Sequence, residues 1–462
     1  MQLISKRWSR YGILAAALSL VAIEANALDK PKTMEDMWRI IEAQQQQLDE
    51  MKKKLEASSA ATVSDNKPVQ QLTRKTEVLS QEVEKLRTNL VIPEETKYKS
   101  MYGLGPAASK VYQIGKGLSI GGYGEARYQH YTADKKSKVN NADMVRMVLY
   151  TGYKFSDQIL FNSELEFEHA TTGAEGSVSV EFAAIDFFMN RYVNARAGML
   201  LMPMGFINLI HEPLFYFGNN RPMVERVIIP ATWREMGAGL FGQVTDDVSY
   251  TTYAVNGLEA EGFSSDGIRG ARQSGSEAKA EDFAWVGRLD YTPKQLNGLS
   301  LGGSAYVGQS GQNLTLAGQS INALTQLYEG HIQWKYRGLE FRALGSWGHI
   351  NDAALLSQGL GNGVIGQDNY GWYTELGYDV LPLIFPDSNH YLAPFYRYER
   401  YDTLAGIPSG FLDDPSKDRW IHQFGLQYKP IANVVIKADY RDFHSNGGSV
   451  PDDFNLGVGF IF

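Results

Sequence analysis

At 462 residues, with 44% hydrophobic side chains and 26 Tyr, 21 Phe and 8 Trp beside 46 Gly, the chain has the length of two or three ordinary domains or of one large barrel. A formal charge of -8 argues against a nucleic-acid partner, and the absence of Cys excludes disulfides and thiolate chemistry. Many aromatics and glycines at a mean hydropathy of -0.29 fit strands that show one face to lipid and the other to water.

In chain order, Lys6, Arg7 and Arg10 precede the apolar run Tyr11 to Ile23, and Ala25-Asn26-Ala27 supplies small residues for a signal peptidase. Residues 1–27 therefore read as a secretory signal peptide; a retained anchor is the other reading, for which the run is short. Residues 28–92 read as a helical coiled-coil stalk. Met34, Ile41, Leu48 and Leu55 recur every seventh residue with Met37 and Met51 at the three-residue offset, and after a polar break Val69, Leu72, Leu79, Val83, Leu86 and Leu90 resume the heptad until Pro93. So narrow a seam suits helices of neighbouring subunits, with a trimer expected; a single helix laid on the barrel mouth or cell wall is the alternative. Residues 93–116 read as a linker.

From Gly117 the period changes to two, which predicts an all-β, about 16-stranded antiparallel transmembrane β-barrel over residues 117–462. Leu118, Ile120, Gly122, Gly124, Ala126 and Tyr128 alternate with Ser119, Gly121, Tyr123, Glu125, Arg127 and Gln129, and the pattern recurs near 145–155, 159–168, 178–189, 193–202, 235–244, 248–257, 282–292, 299–309, 322–336, 339–349, 369–379, 391–402, 419–429, 433–443 and 454–462. Connections alternate between short (156–157, 190–192, 245–247, 337–338, 430–433) and long (130–142, 203–234, 258–281, 350–368, 403–418), as tight periplasmic turns and long outer loops would. The last strand carries Phe454, Leu456, Val458, Phe460 and Phe462 on one face, and the terminal Phe462 is a candidate signal for the barrel assembly machinery.

By alternation the lumen receives Arg127, Arg146, Lys154, Arg196, Arg288, Lys335, Arg342, Arg397, Lys437 and Arg441. It also receives Glu125, Glu164, Glu166, Glu168, Asp290, Glu329, Glu340, Glu375, Glu399 and Asp439, so the two signs nearly balance. This layout, the long third outer connection after Gly198 to Gly205, and the segment Arg221-Pro222-Met223-Val224-Glu225-Arg226 through Trp233-Arg234-Glu235-Met236-Gly237 resemble the phosphate-selective porin O/P-like superfamily. Within it the chain looks like the dicarboxylate porins with a periplasmic coiled coil. The resemblance implies a trimer whose third loop folds into the lumen and narrows it.

Constriction candidates are then Arg221, Arg226 and Arg234, opposed by Glu212 and Glu225, facing Arg127, Arg146 and Arg196 on a wall that also bears Arg342, Arg397, Glu125 and Glu166. Guanidinium forks suit carboxylates and phosphates; pairing of these arginines with lumen glutamates to stiffen the wall is the other reading. The expected function is an outer-membrane porin for passive diffusion of small hydrophilic solutes, favouring small organic anions, with no cofactor, no metal and no catalytic residue. An envelope-tethering or adhesion barrel is the alternative. Gly361 to Gly366 matches a dinucleotide fingerprint but lies in a polar loop, Asp413 to Asp418 lacks calcium-loop spacing, and His331, His349 and His422 are far apart.

Overall fold

The computed structural model describes residues 99–170 and 176–462. The expected signal peptide and heptad stalk lie outside the described residues, as do five residues of one long connection.

Alternation of apolar and polar side chains is realised as β1 (Gly117–Ala133), β2 (Asn141–Lys154), β3 (Ile159–Glu168), β4 (Val178–Phe188), β5 (Asn194–Leu201), β6 (Arg234–Gln243), β7 (Val248–Asn256), β8 (Phe283–Tyr291) and β9 (Leu299–Gly308). A small hairpin, β10 (Thr315–Leu316) with β11 (Gln319–Ser320), sits in the next connection. Then follow β12 (Thr325–Tyr336), β13 (Leu339–Ile350), β14 (Asp368–Tyr378), β15 (Tyr391–Gly406), β16 (Asp418–Ile431), β17 (Val434–Ser445) and β18 (Asp452–Ile461). Leaving out the hairpin, neighbours in sequence pair antiparallel and β18 returns to β1, so sixteen strands close into a barrel. At the seam Gly122 N donates to Phe462 O (3.0 Å) and Phe462 N to Gly122 O (2.9 Å), which leaves no free sheet edge there. Among the described residues no helix is long and apolar enough to cross a membrane.

The two faces differ as the period requires. On β14, Trp372 (39% exposed), Leu376 (49%) and Tyr378 (38%) point outward, whereas Tyr373 (0%) and Glu375 (2%) point inward. Aromatic and aliphatic side chains together cover the outer face, as on strands that show one face to lipid. Inside, a polar belt crosses the wall. Glu375 accepts from Arg397 (2.6 Å), Arg397 donates to Gln423 (2.8 Å), Gln423 donates to Asp439 (2.9 Å), Asn455 bridges Asp439 and Asp453, and Asp453 accepts from Arg441 (2.6 Å) and, across the seam, from Gln129 (2.7 Å). Each member is buried, so each must be satisfied by its neighbours.

Three departures from the expected layout matter. The connection 379–390 lies on the short-turn side yet is long, because it carries a helical turn, Leu381–Ile384, which Asp379 Oδ1 pins by accepting from the N–H groups of Leu381 and Leu392. On the long-loop side, the connection after β7 packs Leu258, Phe263 and Ile268 with Trp233, Tyr306, Leu344, Leu356 and Tyr373 into an apolar cluster within the barrel. Finally, part of the expected linker is interior structure. Leu104, Ala107, Ala108 and Val111 are buried, the last on the short helix α1 (Lys110–Gln113), against the inner wall at the short-turn end. Gly152 makes room for it, since a Cβ there would lie 2.6 Å from Val111 Cγ2. Asn162 donates to Ala108 O (2.9 Å), Lys154 to Ile114 O (3.1 Å), and Tyr112 to Asp186 (2.8 Å).

Candidate pore constriction

The connection from β5 to β6 folds into the barrel, and its own polar residues shape it. Asn208 closes its base, donating to Met202 O and Trp233 O and accepting from Trp233 N. Glu225 lies on the short helix α2 (Met223–Val227) and accepts from the N–H groups of Phe206 (2.8 Å) and Ile207 (2.7 Å) and from Tyr373 OH (2.6 Å). A carboxylate in that place stitches both limbs of the loop to β14.

The wall then grips the loop through its carbonyls. Arg342 donates to Phe215 O (2.7 Å), Arg397 to Phe217 O (2.6 Å), Lys429 to Leu214 O (3.0 Å), and Lys437 to Tyr216 O (2.9 Å) and Gly218 O (2.8 Å). Asp439 accepts from Asn219 N (2.7 Å), and on the far wall Tyr216 OH donates to Glu125 (2.7 Å). The loop thus spans the lumen from β13–β17 to β1. A run of carbonyls with no internal partner needs donors, and four inward cations of β13, β15, β16 and β17 supply them.

Beside the loop lies a cavity of about 190 Å³ lined by Arg127, Arg146, Arg221, Arg226 and Arg269 with Glu125, Glu168, His169, Asn219 and Asn220. Arg146 is bound between Glu125 (2.8 Å) and Glu166 (3.2 Å). Arg127 donates to Asn220, Arg221 to His211 O (3.4 Å), and Arg269 to the main-chain oxygens of Arg226 and Ala231. Among the described residues, Arg127, Arg221, Arg226 and Arg269 have no carboxylate within ion-pair distance. In the loops, burial and the neighbouring guanidiniums lower Arg226, while burial, Arg272, Arg226 and Arg221 bring Arg269 down to about 9. Crowded positive charge of this kind is relieved by a bound anion.

The candidates of the sequence therefore divide. Arg127, Arg146, Arg221, Arg226 and Glu125 surround the cavity, and Glu166 sits behind Arg146. Arg196 is away from it, bound to Asp186 (2.6 Å) and Tyr112 (3.1 Å) near the short-turn end. Arg234 is bound to Glu181 (2.6 Å). Arg342 and Arg397 hold the loop rather than line the opening, and Glu212 and Glu225 are buried anchors of the loop that do not oppose the arginines. Arg269, Glu181 and Asp186 were not among the candidates. The first lies in a connection with no periodicity to read; Glu181 is displaced by a bulge between Glu164 and Leu165 of the partner strand; Asp186 was open to the alternation of Ile185 and Phe187. Among the described residues no group of His, Asp and Glu side chains is gathered as a metal would require.

No protein-family model matches this sequence. An uncharacterized protein of Aquifex aeolicus is 38% identical over 374 residues, spanning 77% of this chain and 82% of its own. Among solved structures, a loop-deletion form of the outer membrane protein OmpT of Vibrio cholerae aligns at TM-score 0.49 and 11% identity, over 76% of this chain and 100% of its own. OmpF of Salmonella typhi with daunomycin aligns at 0.49 and 12%, over 75% and 98%. The outer membrane channel DcaP of Acinetobacter baumannii aligns at 0.47 and 15%, over 75% and 97%.

Proposed function

We propose that this chain, which belongs to one family with the uncharacterized Aquifex aeolicus protein, is an outer-membrane porin for passive diffusion of small hydrophilic solutes, with a preference for small organic anions. The observation that carries this reading is the cavity beside the inward loop, where four guanidiniums stand without a carboxylate partner among the described residues. The low-dielectric barrel wall and the loop confine that place, so field lines from those charges are focused on whatever passes. Carboxylate or phosphate oxygens would meet fork-shaped donors from two sides, Arg127 on β1 and Arg221, Arg226 and Arg269 on two loops. Glu125 and Glu166 neutralise Arg146, which leaves the opening attractive to anions without making it a trap.

Within this reading residues 1–27 are the export signal, 28–92 a periplasmic coiled coil that with the barrel wall joins three copies, and Phe462 the residue the assembly machinery reads. The short-turn end then faces the periplasm. Passage requires no chemical step and no cofactor.

The test is the reversal potential of the full chain in a planar bilayer under a salt gradient. Wild type is expected to prefer anions, and Arg226→Ala together with Arg269→Ala should bring the preference toward neutrality while channels remain. A clear cation preference of the wild type removes the anion reading; a folded but electrically silent protein removes the channel reading and favours an envelope tether.

A further inference from the structure

The residues before β1 do more than connect. From Leu104 to Gln113 the chain lies within the short-turn mouth, against β1 to β5; it packs on Leu209, Leu214 and Phe215 of the constriction loop and is hydrogen-bonded to that loop through Glu212. Glu212 Oε1 accepts from Ala107 N at 2.9 Å and from Ala108 N at 3.4 Å. The turn that presents those two N–H groups is closed by Ser109 N donating to Gly105 O (2.9 Å) and by Ser109 Oγ reaching Leu104 O (3.1 Å). Gly105 is the residue that lets the carboxylate in, because a Cβ there would lie 2.5 Å from Glu212 Oε1. Glu212 itself is fully buried and immediately precedes the turn Pro213–Phe215 from which the loop crosses the lumen.

We infer that residues 104–113 are a strap across the mouth, and that Glu212 is the positioning residue through which the strap holds the constriction loop at its working width. The inference rests on the reading of the chain as a channel. Two independent ties fix the strap to the wall rather than to the loop: Asn162 on Ala108 O, and Tyr112 in the network of Asp186 and Arg196. The strap is therefore a fixed post, and the loop is moored to it. Its partner chemistry is internal to the chain, a carboxyl oxygen seated in a turn of backbone N–H groups.

The experiment is single-channel conductance of the full chain in planar bilayers, for wild type, Glu212→Ala, Glu212→Gln and Gly105→Ala, each first shown to be folded by its heat-modifiable migration. Glutamine keeps the acceptor, so E212Q is expected to conduct as wild type. E212A unmoors the loop and is expected to raise conductance, or its open-channel noise, by about twofold. Gly105→Ala has ordinary backbone geometry and displaces only the end of a flexible side chain, so it should reproduce E212A, and the double variant should add nothing to either. Conductance unchanged in both E212A and Gly105→Ala, or E212Q behaving as E212A, overturns the strap. Should E212A fail to fold, Gly105→Ala decides alone. A silent wild type would instead strike the channel reading on which the strap rests.

Discussion

Arg397 shows how much of the interior is decided by single side chains. It is fully buried, bound to Glu375 and Gln423 in the wall and to Phe217 O in the loop. Arg397→Met would leave Glu375 with only the longer 3.7 Å contact to Arg342 and would free a loop carbonyl. Breaking a buried pair in this way costs about 3–5 kcal/mol, and the folded band in a heat-modifiability series should be lost at a clearly lower temperature. Glu212 adds a pH term. Burial raises its carboxyl to about 8, against the opposing backbone donors of Ala107 and Ala108, and Glu164 on β3 pushes in the same direction as burial. Tyr150 of β2 and the adjacent His211, itself lowered to about 4 by burial and Arg221, complete the groups around it. A carboxyl raised above the roughly 4.3 of free glutamate contributes stability that is complete below that value and is lost as pH rises through 8. The thermal transition in detergent should therefore fall between pH 6 and pH 9, and by less in Glu212→Gln; equal falls in both proteins would refute the assignment.

At the scale of elements, the strands were legible and the loops were not. Period-two alternation names inward residues such as Glu125, Arg146, Arg397 and Asp439 directly, because a one-residue slip would turn each charge into lipid. It fails where a bulge adds a residue: Glu181 and Phe182 both turn inward opposite Glu164 and Leu165, and no composition signal marks the spot. Connections carry no period, so neither Arg269 nor the seat of Glu212 on Ala107 and Ala108 could be read, and the strap looked like a linker because its buried residues are small. The loop between β5 and β6 can be tested as a unit. Deleting residues within 213–226 removes the carbonyl acceptors of Arg342, Arg397, Lys429 and Lys437. Conductance should rise and thermal resistance should fall; a deletion that leaves conductance unchanged would mean the loop does not narrow the path.

For the whole molecule, closure and filling are separate achievements. Closure comes from the register of sixteen strands and the paired bonds of Phe462 with Gly122, so removing residues 460–462 should abolish the folded, heat-resistant form. Filling is uneven. On the long-loop side the walls from β7 to β15 meet an apolar mass of loop residues, Leu258, Phe263, Ile268 and Leu356 among them, while β1 to β3 meet arginine and glutamate. That unevenness gives the barrel a wet bank and a dry bank. A chain with no cysteine of its own is well suited to mapping them: a thiol introduced at Glu168 should react promptly with a charged, water-borne reagent, and one at Leu344 should stay hidden from it. Traffic through such a barrel would hug one shore, and residues on the opposite shore would govern how firmly the structure stands without ever touching the cargo.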